Sequence, residues 1–486
     1  MTDPVGKVHS NTVVPVGHPP VPKGVGGGSY LTGTWSETMS SIPISSKEDL
    51  KRFFSDAFKP PDGWRMGLEF EKLGVDPATG KAISYSGPDG VEQILVRLAE
   101  RFGWMPHFTD GRLLELERGQ SRITLEPGSQ IELSGAPHRT LHEMAEEVRI
   151  HLDELKAVSD PAKVAWVGLG NQPVTEWNDI ELLPKQRYAI MTRYPPSRGK
   201  LGLAMMRETA ATQLNLDYED EQDAMEKYRL SMALSPLLTA LFANSCVSGG
   251  RANGFLTRRA YIWQHTDPAR CGFIEGLYDS DAGFSEYVEY ALNVPMWFVV
   301  RGGRWIEIGG AITFRHYLDS GFEDCRPIWD DWLLHLSTIF TESRFKPYLE
   351  VRGADCPPPG LEMTFPALVK GILYDRQAGR EAWEIVRPWS KVERQALYLT
   401  ISRKGPEARI HGSSARERIV ALVRASRDGL KRQNQRNSEG RDESVYLEPL
   451  EARLEEGWNC PAEEILALWN GPWKGSVTRL IAHSRF

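Results

Sequence analysis

Trp64-Arg-Met-Gly-Leu-Glu-Phe-Glu-Lys-Leu-Gly-Val75 alternates side chains of two kinds, with Glu69 and Glu71 on either side of Phe70. Along a β-strand, residues i and i+2 share a face. One face of this stretch is therefore acidic and the other apolar. Three further stretches repeat the pattern. Gln130 and Glu132 flank Ile131, with Glu126 just ahead of a turn at Pro127-Gly128. Gln213, Asn215 and Asp217 flank Leu214 and Leu216, and Glu350 and Arg352 flank Val351. A half-buried strand ordinarily turns such a polar face to water. Here the polar positions hold Glu, Gln and Asn instead of the Lys, Thr and Ser of a solvated strand, and neighbours such as Met205-Met206 and Leu349 are strongly apolar. Carboxylates gathered on one concave face repel one another and lose hydration. Divalent cations offset both costs, and hard oxygen ligands select Mg2+ or Mn2+. Because Mg2+ on protein carboxylates usually also takes phosphate oxygens, a nucleotide is its natural companion.

Around these strands the chain reads as mixed helix and strand. Ser46 to Phe58 is a short helix, and Val91 to Phe102 has helical apolar spacing that ends at Gly103. Leu113 to Glu117 and Ser121 to Glu132 read as strands broken by turns at Gly119 and Pro127-Gly128. Thr140 to Val158 is an amphipathic helix, opened by a capping box of Thr140 and Glu143. Val164 to Leu169 and Ala210 to Tyr218 are strands, Asp223 to Asn244 is an apolar helix containing Pro236, and the chain past Pro366 is largely helical. The regular βαβ beat is missing, which predicts an α+β fold with an antiparallel sheet. Residues 1–45, rich in Pro, Gly, Ser and Thr, predict a disordered tail, with a single domain over 46–486.

The bulk properties exclude several classes. The 486 residues are 41% hydrophobic and 25% charged, as in an ordinary globular protein. The net charge of -7 argues against nucleic acid or an anionic membrane surface as partner. No run approaches the roughly 18 apolar residues of a membrane helix. Five scattered cysteines, Cys246, Cys271, Cys325, Cys356 and Cys460, show no metal spacing. With no apolar export signal, they predict reduced thiols in the cytoplasm.

No phosphate-binding G-x-x-x-x-G-K-[ST] loop is present, so basic side chains are left to hold a nucleotide: Lys72, Arg118, Arg122 and Arg352. A second cluster, Asn253 to Arg270, mixes Arg258, Arg259 and Arg270 with Tyr261 and Trp263. Arginine beside aromatics suits bidentate recognition of a carboxylate, and equally a basic loop over a buried Trp. No serine or cysteine nucleophile motif occurs, which fits a reaction activated by ATP and driven by positioning and charge neutralisation.

Taken in order, these stretches resemble the glutamate–cysteine ligases of the plant and proteobacterial type. The resemblance rests on Gly67-Leu-Glu-Phe-Glu-Lys72, Leu125-Glu-Pro-Gly-Ser-Gln-Ile-Glu-Leu-Ser-Gly-Ala-Pro137, Leu201-Gly-Leu-Ala-Met-Met206 and Thr212-Gln-Leu-Asn-Leu-Asp217. It continues through Asn253-Gly-Phe-Leu256, Tyr348-Leu-Glu-Val-Arg-Gly-Ala-Asp355 and Asn470-Gly-Pro-Trp-Lys-Gly-Ser-Val477. The resemblance implies a curved antiparallel sheet of the glutamine synthetase catalytic type, with helices packed outside. It implies ATP-dependent joining of the γ-carboxylate of glutamate to the amino group of cysteine through a γ-glutamyl phosphate, the first step of glutathione synthesis. Metal ligands are implied at Glu69, Glu71, Glu126, Glu132 and Glu350, with Gln130 close by. ATP contacts are expected from Lys72, Arg122, Gln213, Asn215 and Arg352, and substrate contacts from Arg258, Arg259, Trp263, Arg270, Tyr194 and Arg193. Arg259 and Arg352 take the catalytic roles, on the glutamate carboxylate and the transferring phosphate. The partners are small molecules, and the chain is expected to be a monomer or homodimer. Met191-Thr-Arg-Tyr194, Arg270-Cys-Gly272 and Cys356-Pro-Pro-Pro-Gly360 depart from the family pattern. A different amine acceptor, or a catalytically dead ligand-binding relative, are the alternatives.

Overall fold

The acidic-and-apolar stretch forms β1 (Met66–Val75), the central strand of the molecule. A computed structural model describes residues 42–194, 199–274, 276–278, 281–458 and 460–486. Beside β1 lie β2 (Met105–Thr109), β3 (Arg112–Arg118), β4 (Ser121–Leu125), β5 (Ile131–Ser134), β6 (Ala165–Val167), β7 (Ala211–Leu216), β8 (Ser343–Phe345) and β9 (Leu349–Asp355). They build one nine-stranded sheet in the order β8-β9-β7-β1-β5-β4-β3-β2, with β6 paired to the far end of β1. Every neighbouring pair is antiparallel, and β8 and β2 are its two edges, so the sheet does not close into a barrel.

Register turns the sequence alternation into rows across the sheet. Phe70 lies opposite Leu133 on β5 and Thr212 on β7, and Leu214 lies between Leu68 and Val351. This face is fully buried against helices that include Glu221–Leu241, which starts at an Asp220 cap and runs through Pro236, and Thr364–Leu373. Helix Val91–Phe102 closes at Gly103, whose φ of 72° is the left-handed cap that glycine adopts without a Cβ penalty. Thr140 and Glu143 make the reciprocal capping box that opens helix Leu141–Ser159.

Most of the predicted tail, residues 1–41, lies outside the described residues. Its last positions are held: Ile44 donates its N–H to the Pro327 carbonyl at 3.1 Å, and the Ile42 carbonyl accepts from Trp329. All five cysteines are free thiols, four of them buried.

Candidate active site

On the opposite face of the sheet the same register gathers the polar residues. Arg344, Glu350 and Asn215 form one row across β8, β9 and β7. Gln213, Glu69, Ser134 and Arg122 form the next, across β7, β1, β5 and β4. Glu71, Glu132 and Thr124 form the third. Directly opposed residues project to one side, so three strands, β9, β1 and β5, deliver their carboxylates together. Above them lies a half-enclosed cleft with about 130 Å³ of space for water-sized groups. Glu69, Glu71, Glu126, Glu132, Gln130 and Gln213 line its floor, and Arg259, Trp263, Arg344, Lys346 and Arg352 line the facing wall.

The floor is electrostatically strained. Burial pushes the Glu69 carboxyl up to about 7, with Glu350 and Glu132 adding to the rise. Burial raises Glu71 well above the ordinary range, helped by Glu126 and Glu132, and it also raises Glu126 and Glu132. Donors tie several of them down: Asn215 Nδ2 to Glu69 at 3.0 Å, the Ala211 N–H and Gln213 Nε2 to Glu71 at 2.7 and 3.1 Å, and the Thr124 hydroxyl to Glu132 at 2.9 Å. Gln213 Oε1 is buried with no donor among the described residues. An all-oxygen set of mutually repelling carboxylates, with an acceptor left over, fits a hard divalent cation. Even so, no group of three or more His, Cys, Asp or Glu stands at metal-holding distance among the described residues.

Glu350, also predicted as a metal ligand, is set among cations. It is fully buried and held by cations: Arg352 Nη1 at 2.8 Å, Arg344 Nη2 at 3.0 Å and Lys346 Nζ at 3.1 Å. Burial alone would raise its carboxyl, but the three cations outweigh it and hold the pKa well below the ordinary range. Glu350 therefore anchors the cations beside the acidic floor.

Other expectations are corrected by orientation. Lys72 follows Glu71, so the strand period turns it to the Phe70 face, where it is fully buried and donates to the Phe70 carbonyl at 2.5 Å, away from any nucleotide in the cleft. Arg118 likewise faces the back of the sheet, bonded to Glu154 at 2.7 Å and lying over Trp104. Arg122 is on the cleft side but beyond the cleft lining, bonded to Glu115 at 2.6 Å. Asn215 sits behind Glu69, outside the lining. Arg270 is buried outside the cleft, bonded to Asp267 at 2.7 Å and to Thr338 and the Pro295 carbonyl, and it lies over Tyr194 and Trp297. Tyr194 is thus part of a structural cluster, Arg193 reaches out to exposed Glu307, and Arg258 pairs with Glu208 at 2.9 Å. Arg259 and Trp263 do reach the cleft, on helix Arg258–Gln264, which Thr257 caps. The guanidiniums of Arg259 and Arg352 each lie 5.9 Å from the Trp263 ring.

Four cations of the cleft went unread in the sequence. Arg344 lies on the short edge strand β8 and Lys346 directly follows it, an i, i+2 pair that the alternation could have revealed. Lys185 and Arg187 come from a loop and helix start remote in sequence, with no local signal.

The sequence model of glutamate-cysteine ligase family 2 matches residues 65–483. The chain belongs to this family. It is 36% identical over 462 residues to glutamate–cysteine ligase A, chloroplastic, of Oryza sativa subsp. japonica, covering 94% of this chain and 92% of that one. It is 37% identical over 448 residues to the chloroplastic glutamate–cysteine ligase of Arabidopsis thaliana, covering 91% of this chain and 83% of that one. Among solved structures, glutamate–cysteine ligase from Francisella tularensis in complex with AMP superposes with a TM-score of 0.54 over 88% of each chain, at 13% identity, so the fold is shared. The plant relatives are named as chloroplastic, which overturns the expectation of a cytoplasmic family member. Unpaired thiols argue against an oxidising compartment and do not single out one reducing compartment.

Proposed function

We propose that residues 46–486 act as one catalytic unit that joins the γ-carboxylate of L-glutamate to the amino group of L-cysteine with ATP, opening glutathione synthesis. The observation that carries this reading is the meeting, in one cleft of a glutamate–cysteine ligase family chain, of four carboxylates with Arg259, Arg344, Lys346 and Arg352. A free carboxylate is a poor electrophile. Transfer of the γ-phosphoryl group of ATP to a γ-carboxylate oxygen gives γ-glutamyl phosphate and ADP. The cysteine amine then attacks the acyl carbon and loses a proton, and phosphate leaves.

Glu69, Glu71, Glu126 and Glu132 are the residues to hold magnesium, which when bound neutralises phosphate charge. Arg352, fixed by Glu350, is placed to meet the transferring phosphoryl group, and Lys346 and Arg344 extend the positive wall. Arg259 is placed for the amino-acid carboxylate, with Trp263 packing beside it. Fixed cations in a half-enclosed cleft act without reorganising during the reaction. Oxygen donors on the floor, and not thiolates or imidazoles, are what favour Mg2+ or Mn2+.

Arg193, the residue nearest the altered Met191-Thr192 segment, points out of the cleft, so the amine acceptor is the part a direct test must fix. Phosphate release from ATP with magnesium and glutamate, measured with cysteine and with a panel of other amines, is expected to rise with cysteine above all others. Greater release with a different amine would replace the acceptor, and no release under any condition would overturn the reading.

A further inference from the structure

Beside the cleft lies a small side chamber with about 20 Å³ of space for water-sized groups, room for one group the size of an ammonium. Arg259, Trp263, Phe340 and Arg352 border both spaces, so the two adjoin across these side chains. At the inner end of the chamber stands Glu342, between the short strand Phe340–Thr341 and β8.

Glu342 is unlike the other acidic residues of the site. One oxygen, Oε1, accepts a hydrogen bond from the Tyr398 hydroxyl at 2.5 Å. No salt-bridge partner reaches it among the described residues, and it stays half-buried because it faces the chamber. Arg259 and Arg352 are near enough to stabilise its charge, yet both are engaged elsewhere: Arg259 Nη2 donates to the Arg352 carbonyl at 3.2 Å, and Arg352 Nη1 pairs with Glu350. Gly353 sits at the register shift of β9, and a Cβ there would come within 3.2 Å of Glu342 Oε2. Glycine thus leaves open space on the oxygen that Tyr398 does not use. A partly desolvated carboxylate without a direct ion pair is costly, and one that faces two arginines across an aromatic-walled chamber has the charge layout that complements an amino-acid zwitterion.

We infer that Glu342, oriented by Tyr398, binds the α-ammonium group of the donor amino acid while Arg259 binds its α-carboxylate. This inference rests on the ligase reading and adds the residue by which a free α-amino acid is told from a plain dicarboxylic acid. With the ammonium in the side chamber and the α-carboxylate at Arg259, which borders both spaces, the side-chain carboxylate extends into the main cleft toward the acidic floor and the phosphates. A peptide or amide-capped glutamate lacks one of the two charges and is disfavoured.

The test compares glutamate with glutarate, which carries both carboxylates and no ammonium. Wild-type enzyme, Glu342→Gln and Tyr398→Phe are assayed for the KM of glutamate, ATP and cysteine and for inhibition by glutarate. A hydrogen bond to a charged group is worth about 1.5–3 kcal/mol, so Glu342→Gln is expected to raise the glutamate KM roughly 10- to 100-fold. The ATP KM and the glutarate inhibition constant are expected to stay within about twofold. Tyr398→Phe, which keeps the carboxylate and loses its orientation, is expected to shift glutamate a few-fold in the same direction, again without moving glutarate. An unchanged glutamate KM in Glu342→Gln, or equal weakening of glutamate and glutarate, would overturn the assignment and leave the ligase reading standing. Absence of any glutamate-dependent ATP cleavage in the wild-type enzyme would overturn both.

Discussion

Exchanging Glu350 and Glu69 separately for glutamine separates what holds the site together from what the site does. Glu350 is wholly buried with Arg344, Lys346 and Arg352, themselves 5%, 6% and 9% exposed. Glu350→Gln removes the one anion that, among the described residues, lies 2.8–3.1 Å from these three cations, and leaves them to repel one another. Breaking a buried ion pair from one side costs about 3–5 kcal/mol. At roughly 2.1 cal/mol/K of unfolding entropy per residue, a chain of 486 residues loses about 1 °C per kcal/mol, so the melting temperature falls by about 3–5 °C. Glu69 behaves in the opposite way. Its carboxyl is pushed up to about 7, so near neutrality it is already partly protonated, and a glutamine oxygen can go on accepting from Asn215 Nδ2. Glu69→Gln is expected to keep its melting temperature within about 1 °C while losing magnesium-supported turnover. Scanning calorimetry of both variants without ligands, paired with a magnesium titration of activity, reads the two effects. An unshifted Glu350→Gln beside a destabilised Glu69→Gln would refute the division of the site into cationic wall and acidic floor.

Arg259→Ala is expected to raise the KM for glutamate by about 100-fold with the ATP KM little changed, through loss of a charge-assisted carboxylate contact; a change in ATP alone would move the residue to the nucleotide. Arg270→Ala leaves Asp267 buried without its partner at 2.7 Å, so it should cost roughly 3–5 kcal/mol of stability with substrate KM values unaltered at low temperature. His335 is buried, its pKa is pushed down to about 3 by burial and by Arg270, and its Nε2 lies 2.8 Å from the Ala291 carbonyl oxygen. Its folded pKa lies below the unfolded value of about 6.5, so its stability contribution is present above pH 6.5 and is lost as pH falls toward 3. Between pH 7 and pH 5 the wild-type chain should therefore lose about 2 kcal/mol more than His335→Gln, whose side chain stays neutral; parallel pH profiles would contradict this.

Most of the sheet was legible because period-2 alternation is local physics. Glu69, Glu71, Glu132 and Gln213 fell on one face by that rule, and pairing of β1 with β5 and β7 brought them together. The same rule assigns Lys72 to the other face, so its reading as a nucleotide ligand ran against the pattern that found its neighbours. Arg270 was misread for a different reason. An arginine near aromatics looks alike whether it binds a ligand or fills a core, and only burial with Asp267, Thr338 and the Pro295 carbonyl separates the two. The cations around Glu350 were not legible beside it, because Arg344 enters from the adjacent edge strand and Lys346 from the residue that follows that strand. Glu342 gave no signal at all, since its meaning depends on Tyr398, which lies 56 residues away.

The central claim, that this cleft activates the γ-carboxylate of glutamate by phosphorylation for capture by cysteine, is met most directly by one isotope measurement. Glutamate labelled with oxygen-18 in its γ-carboxylate is turned over with ATP, magnesium and cysteine, and the released phosphate is analysed by mass spectrometry. Activation through γ-glutamyl phosphate puts one labelled oxygen in each phosphate, with equimolar γ-glutamylcysteine; phosphate free of label, formed alongside that product, would rule that route out.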